Sequence, residues 1–329
     1  MRVLFAGSPS IAVPSLEALY SRCGRGESEI KLAGVLTNPD SSRGRHGTPQ
    51  PTEVGEAAQR ILRQAEEQGG DVFQILKPEK LDAALREQVG ALKPDLLVSF
   101  ACGYFFGPKF LALFPLGGIN IHPSLLPKYR GPAPIQAAIL NRDAVTGISV
   151  QKLAQEMDSG DILAVEYLQL TGRETAGSLS ELVSKKAALM LPEVFGKIAA
   201  GEQGVPQDHS MASFCSLISR DDALIDWNGS AAQIEAKIRA FDPWPLCRTI
   251  HDEKELFILK ASVRADGGGR GAKQPGLVLG IDKQDGILVQ TGEGILAVSE
   301  LQYQAKKALF WRDFLNGARN FTGSKLGKV

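Results

Sequence analysis

Cysteine and histidine are both scarce in this chain, with four of each in 329 residues. Cys23, Cys102, Cys215 and Cys247 lie far apart and form no CxxC pair. That excludes a thiol redox motif and leaves free thiols in a reducing compartment as the expectation. His46, His122, His209 and His251 are equally scattered, so no pair has zinc-ligand spacing and no metal is expected. Net charge is missing too: 37 Lys and Arg balance 37 Asp and Glu, and no global field draws the chain to nucleic acid. No apolar run approaches the roughly 20 residues of a bilayer span. The opening MRVLFAG reads directly as a buried strand, without the basic region, longer apolar core and cleavage site of a secretory signal. A cytoplasmic, bacterial protein, acting as a monomer and away from membranes, is the expectation.

What is present suits a globular enzyme of two domains: 43% apolar and 22% charged residues, in a chain long for one core. Short apolar runs at 2–7, 30–38, 95–101 and 118–123 are bounded by Gly, Pro or Asn, as buried strands are. Between them, 13–20, 53–68 and 79–92 carry helical spacing, with Leu81, Ala84, Leu85, Val89 and Leu92 on one face. Later strands are expected at 146–154 and 162–170, and a helix at 178–199. This alternation predicts an α/β fold, a Rossmann-like and mostly parallel sheet with helices on both faces, over residues 1–200. A Gly-, Pro- and polar-rich stretch at 201–211 reads as a linker. Over 212–329 a helix at 230–241 precedes several short strands with close turns, which predicts a small β-barrel. GGGRG, in the 264–276 loop, has no strand-to-helix context and reads as a hairpin tip.

The densest chemistry lies in NIHPSLLPKYRGPAPIQ, residues 120–136. Ligands of open α/β sheets bind at the carboxyl ends of strands, and strand alternation points Asn120 and His122 the same way there. Pro123 and Pro127 stiffen the loop beyond the strand. Downstream, QEMDSGDIL places Asp158 and Asp161 in a Gly-containing turn. A carboxylate orients an imidazole and favours its charged form, and an amide donates to a developing oxyanion. Asn, His and Asp together suit acyl transfer without a covalent intermediate. No nucleophile elbow is present, and Ser124 is not placed as a nucleophile.

NIHPSLLPKYRG followed by MDSGDI resembles the signature of enzymes that transfer a formyl group from 10-formyltetrahydrofolate. FAGSPSIAVPSLEAL, VLTNPD, YRGPAPIQAAI, IDWNGSAAQIEAKIRAFDPWP and GEGILAVSELQ extend the likeness over nearly the whole chain, to the methionyl-tRNA formyltransferases of that family. The resemblance implies catalytic roles for Asn120, His122 and Asp158. It implies folate contacts at Ser124, Leu125, Leu126 and Pro127, with the formyl-folate as cosubstrate. It also implies initiator methionyl-tRNA as partner and a second domain of OB type. The family's basic loop falls on 38–51, with Arg43 and Arg45 as tRNA contacts. His46 and Gly47 stand where that loop carries lysines, so it is less basic here. Lys306, Lys307 and Arg312, in a cationic C-terminal stretch, are candidates for phosphate contacts. Trp227 and Trp244 are expected to pack against the 230–241 helix. A formyltransferase of amino-sugar nucleotides is the rival reading.

Overall fold

The computed structural model describes residues 1–23, 30–42, 47–264, 274–318 and 320–327. Arg43 and Arg45, and the GGGRG tip, lie outside the described residues. In chain order the first part runs β1 (Arg2–Ala6), α1 (Val13–Cys23), β2 (Lys31–Leu36), a two-residue ribbon of β3 (Ser41–Ser42) and β4 (Pro49–Gln50), and α2 (Glu53–Gln68). It continues through β5 (Gln74–Leu76), α3 (Ala83–Ala91), β6 (Leu96–Phe100), α4 (Pro108–Leu111) and β7 (Gly118–His122). Then come α5 (Pro134–Leu140), β8 (Val145–Lys152), β9 (Ile162–Gln169) and α6 (Ala176–Ala199).

Seven of these strands make one sheet in the order β5-β2-β1-β6-β7-β8-β9. β5, β2, β1, β6 and β7 are parallel, whereas β8, at one side, runs antiparallel to both β7 and β9. The expected Rossmann-like sheet with flanking helices is therefore present, with one strand, β8, reversed. Every residue of β6 and all of β1 but Arg2 are buried, as happens only when both faces of a sheet are covered. On one face Leu4, Ala6, Leu36 and Leu97 pack with Leu85 and Val89 of α3 and with Phe106, Phe110 and Phe114. The alternate residues Val3, Phe5 and Val98 are fully buried on the other face. Each such side chain contributes about 1.5–3 kcal/mol by leaving water.

Local chemistry sets the helix ends. Thr52 caps α2 by accepting from the Gly55 amide at 3.0 Å, and Gly69, at φ 67°, ends it in the left-handed region that glycine enters freely. α3 begins at Ala83 rather than at 79 because the Asp82 side chain accepts from the Leu85 amide, which makes Asp82 the N-cap.

The chain divides into two compact units. One comprises Met1–Pro134, Val145–Gln169 and Ser180–Cys215; the other comprises Ile135–Ala144, Leu170–Leu179 and Ser216–Val329. In the second, α7 (Ala231–Ala240) opens with a capping box between Ser230 and Gln233. It is followed by β10 (Arg248–His251), β11 (Lys254–Val263), β12 (Val278–Asp282), β13 (Gly286–Gln290), β14 (Ile295–Tyr303), β15 (Leu309–Phe310) and α8 (Trp311–Gly317). These strands form an antiparallel sheet in the order β10-β11-β14-β13-β12, with β15 added to β14. The sheet is a curled half-barrel: among the described residues no ladder joins β10 to β12. The C-terminal segment reaches both edges, Gly327 bridging Ile250 and Lys325 bridging Leu277. Trp227 is buried, its indole donating to Thr249 Oγ1 at 3.0 Å, but Trp244 is 52% exposed and does not share that packing role. No described helix is long and apolar enough to cross a membrane.

Thr52 also shares a short hydroxyl–hydroxyl bond with Thr37, at the end of β2. Thr52→Ala removes the cap and that cross-link together, and is expected to lower the urea unfolding free energy by about 1–2 kcal/mol. A change below about 0.3 kcal/mol would mean that the cap contributes nothing.

Candidate active site

β7 lies between β6 on one side and β8 on the other, and the register across β7 and β8 decides which side chains meet. Asn120 stands opposite Gln151, and His122 opposite Ser149. Directly opposed residues of an antiparallel pair project from the same face, so two amides, an imidazole and a hydroxyl are brought together at one end of the sheet. Ser149 holds the loop that leaves β7: its hydroxyl donates to the Ser124 carbonyl at 2.8 Å and accepts from the Leu126 amide at 3.0 Å. Gln151 instead reaches the turn between β8 and β9, where its Nε2 donates to Asp158 Oδ1 at 2.9 Å.

Asp158 is the point of convergence. Its Oδ1 also accepts from Asn120 Nδ2 at 3.3 Å, and its Oδ2 accepts from the Gly131 amide at 2.9 Å. His122 Nδ1 faces that same Oδ2 at 3.5 Å, while His122 Nε2 donates to the Tyr129 carbonyl at 2.8 Å. The His122 side chain is 5% exposed and that of Asp158 11%. The backbone is bent to achieve this: Tyr129 and Asp158 both occupy the left-handed region, at φ 59° and 53°, which costs non-glycine residues roughly 1–3 kcal/mol. Gly131, at φ 115°, lets the loop approach closely; a Cβ there would collide with the Cys215 carbonyl.

Burial holds His122 below the ordinary imidazole value, against the opposing pulls of the Asp158 carboxylate and the Tyr129 carbonyl. The carboxylate favours the charged ring, as the sequence led one to expect, but desolvation is the larger effect. With Nε2–H committed to Tyr129, the neutral ring presents the Nδ1 lone pair toward Asp158.

The formyl transferase family pattern matches residues 1–195, and its C-terminal domain pattern matches residues 217–319. The chain belongs to the formyl transferase family. It is 47% identical over 324 residues to the methionyl-tRNA formyltransferase of Treponema denticola, covering 98% of both chains. It is 42% identical over 328 residues to that of Treponema pallidum, covering 99% of both. Among solved structures, an N-formyltransferase of Helicobacter canadensis shares the fold at a TM-score of 0.62 and 18% identity, over 90% of this chain and 98% of that one.

Seen as a formyl transferase, the chain brings Asn120, His122 and Asp158 together; Asp161, the other acid of the turn, is not in the cluster, and its carbonyl accepts from the Lys152 amide. The four expected folate residues divide. Ser124 is fully buried and its hydroxyl donates to the Lys128 carbonyl at 2.5 Å, while buried Leu126 spends its amide on Ser149. Leu125 and Pro127 retain partial exposure and are the two side chains of this stretch open to a ligand. Lys306, Lys307 and Arg312 are all exposed in the second unit after β14, well removed in sequence from the cluster. Arg312 is partly engaged, donating to the Lys283 carbonyl at 2.9 Å and lying over the Trp311 ring.

Sequence reasoning missed the residues behind Asp158. Val205 pairs with Ile162 in both directions, and beyond it the segment to Cys215, read in part as a linker, lies along the loop after β7. Arg130 pairs with Phe214 there, and buried Gln207 reaches Arg130, Gln151 and the Asp158 turn. Only the isolation of Gln207 beside a proline in a polar stretch could have signalled it.

His122 enters the folded state with its proton affinity lowered, so the unfolded chain binds more protons as the medium turns acid. Its contribution to stability is complete above the unfolded value, about 6.5, and is lost as pH falls through the folded value. His251, also lowered chiefly by burial, acts in the same direction. Unfolding free energy should therefore fall on acidification from about pH 7.5 to about 5. His122→Gln should flatten part of that fall and His251→Gln another part. A slope that neither substitution changes would show that these imidazoles are not the cause.

Proposed function

We propose that the chain transfers the formyl group of 10-formyltetrahydrofolate to the α-amino group of methionine on initiator tRNA. The observation that carries this reading is the 47% identity to a methionyl-tRNA formyltransferase over 98% of both chains, second unit included. Asn120, His122 and Asp158 are the proposed catalytic residues, with Leu125 and Pro127 as the apolar contacts for the folate ring. The donor set fits a formyl oxygen. Asn120 is half-buried, and among the described residues its Nδ2 makes one hydrogen bond, a long one of 3.3 Å to Asp158; an amide nitrogen has a second hydrogen to give.

The folate cosubstrate supplies an activated formyl carbon and, at N10, the leaving nitrogen. Asn120 donates to the formyl oxygen as negative charge gathers there, an interaction worth about 3–4 kcal/mol of barrier. His122 starts neutral, and that growing charge raises its proton affinity. Its ring can then accept at Nδ1 the proton released by the attacking amine and return one to the leaving nitrogen. The Tyr129 carbonyl fixes the ring's orientation through Nε2–H, and Asp158, facing Nδ1, stabilises the ring once it is charged. One bond forms between the amine and the formyl carbon, the bond from that carbon to N10 breaks, and one proton passes from amine to N10.

The second unit is assigned to the tRNA. The C-terminal segment that bridges both edges of the curled sheet supports a closed barrel of OB type, a fold suited to nucleic acid. Lys306, Lys307 and Arg312 are assigned to phosphates, and Arg43 and Arg45 to the acceptor end. Replacing Lys306, Lys307 and Arg312 together by alanine should weaken tRNA binding and flatten its dependence on salt by about two to three units of log–log slope. An unaltered slope would remove these residues from the interface.

The deciding assay is formyl transfer from 10-formyltetrahydrofolate to methionine-charged initiator and elongator tRNA. Transfer to the initiator species is expected, and His122→Ala and Asp158→Ala should each lower kcat by about 10²-fold or more. Folate binding without transfer to either tRNA would overturn the reading and favour an amino-sugar nucleotide as acceptor. Near-normal turnover in both variants would overturn the mechanism.

A further inference from the structure

The segment from Val205 to Cys215 is irregular apart from one short turn of 3-10 helix, and it is not held by apolar burial. Val205, Met211 and Phe214 are 68%, 70% and 74% exposed. What it buries is an amide: Gln207 is 6% exposed. Both polar ends of that side chain are used. Its Oε1 accepts from Arg130 Nε at 3.2 Å and Nη2 at 2.7 Å. Its Nε2 lies within donating distance of the Gly160 carbonyl at 2.7 Å, the Asp158 carbonyl at 3.0 Å and Gln151 Oε1 at 3.2 Å. A single side chain thus grips the turn at two backbone points and contacts the glutamine that holds the turn's carboxylate.

We propose that Gln207 is a positioning residue for Asp158, locking the turn that presents the Asp158 carboxylate to His122 and anchoring that turn to the buried guanidinium of Arg130. The inference rests on the catalytic role proposed for Asp158 and adds a residue that touches no reacting atom. Three features support it. Asp158 is held at φ 53°, a conformation that persists in a non-glycine residue only when its surroundings over-determine it. Gly160 has no room for a Cβ against the Lys152 carbonyl, so the turn is also pinned on that side and has little freedom to find another shape. Arg130 is buried, and among the described residues its side chain is bonded to no carboxylate. Its Nη2 reaches Gln207 and His209 Nδ1, the latter at 3.0 Å, and since a guanidinium only donates, His209 accepts. A buried cation bonded to an amide oxygen polarises that amide and strengthens what its nitrogen donates. Gln207 therefore couples the Arg130 charge to the Asp158 turn through two successive hydrogen bonds.

Two substitutions separate the parts of this arrangement. Gln207→Met keeps the volume and removes every hydrogen bond. Gln207→Glu keeps an acceptor for Arg130 but has no donor for the two carbonyls. Formyl transfer by the full-length chain should show kcat reduced about 10–100-fold in both, with KM for each substrate changed by less than about 3-fold. The charged and titratable groups around the turn are His122 from β7, Arg130 from the loop after it, and His209 and Cys215 from the 205–215 segment. Asp158 raises the proton affinity of His122, and the ring must be neutral to accept the amine's proton, so a relaxed turn in Gln207→Met should move the acid limb of the kcat profile to lower pH, which a general loss of folded protein would not do. Asp158→Ala is the reference. If Asp158→Ala is inactive while Gln207→Met keeps the kcat and pH profile of the unmodified chain, the inference is wrong and the reading of the site stands. If Gln207→Glu restores kcat, Gln207 merely seats Arg130 and the link to Asp158 is overturned; this arm holds even if Gln207→Met does not fold. If Asp158→Ala turns over normally, the reading of the site fails first.

Discussion

The carboxylate of Asp158 is where the separate pieces of the first unit are made to agree. One oxygen is shared by Asn120 of β7 and Gln151 of β8; the other takes the Gly131 amide and faces His122. A carboxylate this far from water has to be met by donors or by charge. Three donors, from a strand, its partner strand and the following loop, converge because β8 is antiparallel to β7 in one register. Slipping that register by one residue would turn Gln151 and Ser149 to the opposite face. The turn would then lose its anchor and the loop after β7 its support.

The backbone accommodates what the side chains require. Tyr129 and Asp158 sit in the left-handed region within one cluster, and Gly131 provides the close approach that any side chain would block. Such conformations are stable only when several independent bonds hold them, and these are supplied by the 205–215 segment as well as by the sheet. His122 completes the balance. Burial favours its neutral form and the carboxylate favours its charged form, burial being the larger effect.

Much of this was legible. The β7 strand and the common orientation of Asn120 and His122 follow from strand alternation alone, and the parallel strands β1, β2 and β6 announce themselves as short apolar runs between breakers. Asp158 was legible only as one of two acids in a turn, and its separation from Asp161 came from family resemblance. Strand direction was not legible: β8 runs against the rest of the sheet, and nothing in a hydrophobic pattern records which way a strand runs. Strands of two or three residues, such as β3, β4 and β5, are too short to show a period. In the second unit, the short strands were legible, but the way the C-terminal segment reaches both sheet edges was not.

The sequence by itself determined the local preferences: which runs are buried, where Thr52 and Ser230 cap helices, and which polar residues stand at the end of β7. These depend on neighbours a few positions away, whose geometry the chain's own stereochemistry dictates. Only the tertiary structure decided that Gln151, Gly131 and Gln207 meet at one turn, and that His122 is desolvated more strongly than Asp158 compensates. Such facts depend on distances between residues tens of positions apart and on the solvent that packing removes, and neither quantity is written in the order of the residues. Gln207 shows the difference most plainly. In the sequence it is one polar residue in a polar stretch; in the fold it is the buried contact around which that stretch is laid.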